Sequence, residues 1–110
     1  MSVNSKSYVL IGYDLMPVIK NMDANQLDEW LEKMEKEVPD DEKYELIFDG
    51  MSGNYCFIGY VLNKEIKYEG MSVKKHWVSD LDEIKLNVFK EFEHLKIHQY
   101  PALYSFTHWY

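Results

Sequence analysis

Apolar and polar positions follow two rhythms along this chain, one of strands and one of helices. Tyr55-Cys56-Phe57-Ile58-Gly59-Tyr60-Val61-Leu62 is an unbroken apolar and aromatic run. A run of this kind predicts a central strand covered on both faces. Its Ile58-Gly59-Tyr60-x-Leu62 recurs as Ile11-Gly12-Tyr13-x-Leu15, inside a first strand expected over residues 7–15. These two strands are expected to form the middle of the sheet. Pro17 ends the first of them, and residues 16–22 read as a connection.

A helical rhythm follows. Leu27, Trp30, Leu31, Met34 and Val38 recur at the spacing of one helix face. Asp23 with Gln26 three residues on has the form of a capping box, and Pro39 stops the helix. A second strand is expected over residues 43–49, a turn over 50–54, and the opening run as the third strand of a hairpin. Asn63-Lys64 reads as a turn into a further short segment over residues 65–69. Helix two is expected to be capped by Ser79 or Asp80. Leu81, Ile84, Val88, Phe92 and Leu95 form its buried stripe, with Phe89 widening it. Pro101 opens a last strand that runs to Tyr110.

The order β-α-β-β-α-β is that of the ferredoxin-like split βαβ sandwich, an α+β fold with two helices on one face of an antiparallel sheet. At 110 residues it is expected to form one domain over 1–110, with residues 1–6 as a flexible amino terminus. Glycine weakens a central strand unless something needs the room. The expected cause at Gly12 and Gly59 is a helix packed closely over the sheet; the alternative is a ligand lying against Gly12, Tyr13, Gly59 and Tyr60.

Charge changes the picture. There are 19 acidic residues against 12 basic ones, for a net charge of −7, and every basic residue is Lys. Arg is the usual bidentate reader of phosphate and guanine, so a direct nucleic-acid partner is not expected. The acidic balance speaks equally against anionic membranes. The apolar stretches fall short of the roughly 20 residues a spanning helix needs, and no signal peptide is evident, so a cytoplasmic location is expected. Negative charge clusters on helix one, at Asp28, Glu29, Glu32, Glu35 and Glu37, and continues through Asp40, Asp41 and Glu42. Such a surface suits a protein partner with a basic face.

Motifs that specify chemistry are missing from the sequence. The single Cys56 rules out an internal disulfide. Gly50-Met51-Ser52-Gly53 is one residue short of a nucleophile elbow, and neither phosphate-loop pattern occurs. His94 and His98 share a helix face with Glu91, but the set matches no zinc signature and reads as an exposed last turn. Asp14 and Asp49 end strands one and two; with strand two expected antiparallel to strand one, they fall at opposite ends of the sheet. Phe48-Asp49-Gly50-Met51-Ser52 is echoed by Tyr68-Glu69-Gly70-Met71-Ser72, read as two strand exits with similar turns.

The expectation is therefore a non-catalytic binding module without metal or cofactor. It would act by protein–protein contact as an inhibitor or regulator of a host protein. Small size, acidity, many aromatic residues and Lys in place of Arg resemble in style the accessory proteins of phages and mobile elements. The expected contact residues are Glu29, Glu32, Asp40 and Asp41, with Trp77, Trp109 and Tyr110 as aromatic anchors. The alternatives are a small-molecule pocket between sheet and helices near Gly12 and Gly59, and a homodimer paired through the aromatic last strand.

Overall fold

The computed structural model describes residues 5–50, 52–66, 78–97 and 99–109. Strand β1 (Ser5–Asp14) leads into a short helix α1 (Met16–Ile19) and the longer α2 (Ala24–Glu37). The hairpin of β2 (Tyr44–Phe48) and β3 (Cys56–Ile66) follows. Helix α3 (Val78–Phe92), a 3-10 turn (Glu93–Leu95) and β4 (Ala102–Trp109) complete the chain. The molecule is α+β, with a four-stranded sheet in the order β2-β3-β1-β4. Every neighbouring pair is antiparallel.

The two Ile-Gly-Tyr strands are the middle pair, and Gly12 and Gly59 lie directly opposite each other. A Cβ on Gly12 would fall 2.0 Å from the Ile58 carbonyl oxygen, and one on Gly59 would fall 2.3 Å from that of Ile11. What crowds these glycines is the backbone of the adjacent strand. The expected helix is not among the nearest atoms. The glycines are there so that two central strands can approach closely.

Alternation along the strands divides the side chains between two faces. Ile11, Tyr13, Cys56 and Ile58 pack with Met34 of α2 and with Val88 and Phe92 of α3 in one core. Both long helices thus cover the same face. Phe92 is fully buried and meets Tyr13 edge-on, with ring centres 6.3 Å apart. Tyr8, Leu10 and Ile47 form a second cluster on the other face, packed against Phe57, Val61, Tyr104 and Phe106.

Several boundaries differ from the sequence reading, each for a physical reason. Pro17 ends no strand; it stands in the first turn of α1, where its missing N–H costs nothing. Asn63-Lys64 is not a turn. Val9 pairs with Asn63 and Leu10 with Val61, so Leu62 is an extra residue in a β-bulge. The strand runs on to Ile66, which takes up residues 65 and 66 of the expected extra strand; residues 67–69 lie outside the described residues. Helix α3 already includes Val78, so Ser79 and Asp80 stand in its first turn instead of capping it. Phe89 is 38% exposed and does not widen the buried stripe.

Strand β2 is antiparallel to β3, and so is β1, so β1 and β2 run parallel. Asp14 and Asp49 therefore lie at the same end of the sheet, beside the start of β3, contrary to the expected opposite ends. Each is engaged in local hydrogen bonds there. Asp14 accepts a hydrogen bond from the Met16 N–H at 3.0 Å. Buried Asp49 holds the hairpin turn, accepting from the N–H groups of Ser52 and Asn54 at 3.1 and 3.0 Å and from the Ser52 hydroxyl.

Candidate protein-contact surfaces

The acidic surface is built by the way α2 begins and by the stripe it buries. Asp23 accepts from the Gln26 N–H at 2.8 Å, and the Gln26 side chain accepts from the Asp23 N–H at 3.0 Å. This closes the capping box and sets the helix phase. Leu27, Trp30 and Met34 then turn to the core, and Asp28, Glu29, Glu32 and Glu35 stay exposed. The connection past Pro39 adds exposed Asp40, Asp41 and Glu42. Asp41 accepts from the Lys43 N–H at 3.0 Å, which folds this connection back toward β2.

Lys33, Lys36 and Lys43 are exposed among these acids, yet none of them closes an ion pair on the acids among the described residues. The ion pairs among the described residues are Lys64–Glu45 and His94–Glu37, and neither uses Glu29, Glu32, Asp40 or Asp41. The Lys43 ammonium instead sits 5.8 Å from the centre of the Tyr60 ring. The structure places Glu29 and Glu32 one turn apart on α2, and Asp40 and Asp41 beyond its carboxyl end. Trp109, at the end of β4, is 45% exposed. Trp77 and Tyr110 lie outside the described residues, as do Met51, Met71 and His98.

The second surface is the sheet face opposite the one that packs against α3. Phe57 is its hub. Its ring centre lies 4.4 Å from that of Phe106 and 4.8 Å from that of Tyr104. Phe106 in turn stacks on Tyr8 at 5.4 Å and tilts against Tyr55 at 5.8 Å. Polar tips ring this apolar patch. The Tyr8 hydroxyl donates to Glu45 at 3.2 Å, and the Lys64 ammonium donates to the same carboxylate at 3.2 Å. The Tyr55 oxygen and His108 Nδ1 lie 2.7 Å apart, and Tyr55 also accepts from the Trp109 N–H at 3.1 Å. Burial lowers the His108 pKa from its ordinary value, and the Lys6 charge adds to that effect. Burial likewise raises the Tyr55 phenol.

The residues read as an alternative ligand floor serve the packing. Gly12 faces Gly59 across the strand contact, and Tyr13 is buried beneath the helices. Tyr60 is half-buried and packs edge-on against Tyr44 at 5.4 Å. Cys56 is fully buried, and burial with the nearby Asp14 charge pushes its thiol up to about 12. No group of three or more His, Cys, Asp or Glu suited to a metal occurs among the described residues.

Sequence reading missed the ring lattice and the Tyr55–His108 contact. The available signal was the alternation of Tyr104, Phe106 and His108 on one strand, in step with Tyr55 and Phe57 on another. A third feature, an apolar cleft beside the carboxyl half of α2, had no single motif to announce it. Comparison with protein-family models, curated proteins and solved structures gives no match for this chain.

Proposed function

We propose that this protein is a small acidic binding module that acts without catalysis, by contact with a protein partner. The observation that carries this reading is the exposed acidic face of α2 and its continuation through Asp40 and Asp41. Among the described residues no lysine forms an ion pair with Glu29, Glu32, Asp40 or Asp41. Acids outnumber the exposed Lys33, Lys36 and Lys43 on this surface, and a net negative field of this kind raises the encounter rate with a basic surface and favours its register. Half-exposed Trp109 supplies an aromatic anchor of the kind that dominates interface energies. The partner is then a protein with a basic face, and the module inhibits or regulates it by covering that face. An accessory role of the phage or mobile-element type and a cytoplasmic setting are part of the same reading.

The finer architecture belongs with this proposal. Strands β1 and β2 are parallel with β3 between them, and β3 and β4 are parallel with β1 between them. A helical connection joins each of these pairs. These features support a ferredoxin-like split βαβ sandwich.

One observation favours a homodimer as a second reading. Among the described residues β4 pairs with β1 alone, and its stretch Ala102–Trp109 contains no Lys, Asp or Glu. Edge strands are usually blunted by such charges, and an unblunted edge is a template for a second strand. Leu103 on this edge is 60% exposed.

Charge reversal tests the first reading. Glu32→Lys, Asp40→Lys and Asp41→Lys together should slow association with the captured partner and flatten its dependence on salt. An unchanged on-rate and salt slope would contradict the acidic surface as the contact. Light scattering over a range of concentrations tests the second, and a monomer at high concentration removes it.

A further inference from the structure

We infer that the cleft between α2 and the connection from α3 to β4 is a binding site for a small amphipathic carboxylate, a medium-chain fatty acid in type. The cleft is half open to solvent and has a volume of about 540 Å³, within the usual range for small-molecule sites. Its α2 wall is one helical stripe, Trp30, Lys33, Met34 and Glu37. Leu15 and Met34 are buried at its base, and half-buried Trp30, Leu95 and Ile97 continue the apolar lining. This floor offers an apolar body a matching surface.

The charged groups select the other end of the ligand. Lys33 and Lys96 both line the cleft and both are exposed. Neither forms an ion pair among the described residues. Glu37 is one turn from Lys33, yet its carboxylate lies 2.7 Å from His94 Nε2. Glu37, which also lines the cleft, thus has a partner other than the two lysines. In a chain of net charge −7, two unpaired ammonium groups beside an apolar hollow favour an anionic head and disfavour a cationic one. Lys96 also adopts a left-handed backbone, φ 54°, the one non-glycine to do so among the described residues. This conformation closes the 3-10 turn, with the Lys96 N–H donating to the Glu93 carbonyl at 3.2 Å, and it leaves the lysine beside the cleft.

The test is calorimetric titration of the full chain with sodium decanoate and with decylammonium chloride, both below their micellar concentrations. Decanoate should bind saturably with one site, at least tenfold more tightly than decylammonium. Lys33→Ala with Lys96→Gly should weaken decanoate at least tenfold without lowering the unfolding midpoint, because Gly suits the left-handed backbone. Val18→Trp, at a 43% exposed position on the cleft wall, should fill the hollow and abolish binding in a protein that still folds. No saturable heat with decanoate, equal affinity for the two head groups, or wild-type affinity in both variants would each overturn the assignment. These outcomes are independent of the acidic surface.

Discussion

A methyl group at Gly12 would need space that the Ile58 carbonyl already fills, and Gly59 is held in the same way by Ile11. Neither strand can move aside without loss of its pairing on the far edge. Gly12→Ala or Gly59→Ala should therefore lower the unfolding free energy by about 3 kcal/mol, measured in urea. Gly50→Ala, with nothing within 4 Å of the new carbon, should cost far less. Equal effects at the two kinds of site would contradict the close strand contact. Cys56 should stay unreactive toward thiol reagents in the native state, since its buried thiol is pushed up to about 12. His108 gives a pH signature. Its pKa is lowered in the folded protein, so the unfolded chain binds the proton more readily. Its contribution to stability is complete above the ordinary histidine value of about 6.5 and declines as pH falls through the lowered one. His108→Gln should flatten the fall in stability as pH drops below about 6.5; an unchanged slope would contradict this role of His108. The repeated Ile-Gly-Tyr was visible in the sequence, but its cause was not. A clash between two backbones depends on register, which no local pattern encodes.

At the scale of elements, helix α2 was the most legible part of the chain. Its cap, stripe and stop are all local signals, and the structure uses them, except that Leu31 of the expected stripe stands outside the core cluster and lines a hollow with Tyr8 and Ile47. Asp23→Ala removes the cap and should cost about 1 kcal/mol in a denaturant titration. Helix α3 was legible in its buried stripe and not at its start, where Ser79 and Asp80 resemble caps but lie inside the helix. Pro17 misled because proline suits the first turn of a helix as well as the end of a strand. The Asn63-Lys64 pair resembled a turn because a bulge and a turn draw on the same residues. The bulge at Leu62 was chosen by pairing with β1, a long-range contact. Phe89 lies on the partly exposed flank of α3, so Phe89→Ser should cost clearly less than Phe92→Ala, which at the centre of the core should cost about 3–5 kcal/mol. Comparable losses at the two positions would contradict the orientation of α3.

The whole molecule has a helical side that ends in an acidic surface and a sheet side carrying a lattice of rings. The acidic surface was legible because charge on a helix face follows from spacing alone. The ring lattice was not, since it needs β1, β3 and β4 aligned before Phe57, Tyr104 and Phe106 meet. The parallel course of β1 and β2 was also missed, and with it the common end of Asp14 and Asp49. The cleft beside α2 joins three separate stretches, and only folding brings them together. Under the proposed contact through the acidic face of α2, association should occur at a rate set by salt. The most direct measurement is capture of partners from the native host by the wild-type chain and by the Glu32→Lys, Asp40→Lys, Asp41→Lys variant, read by mass spectrometry. The account predicts a basic protein held by the wild type and lost by an equally stable variant. The same proteins held equally by both would contradict it.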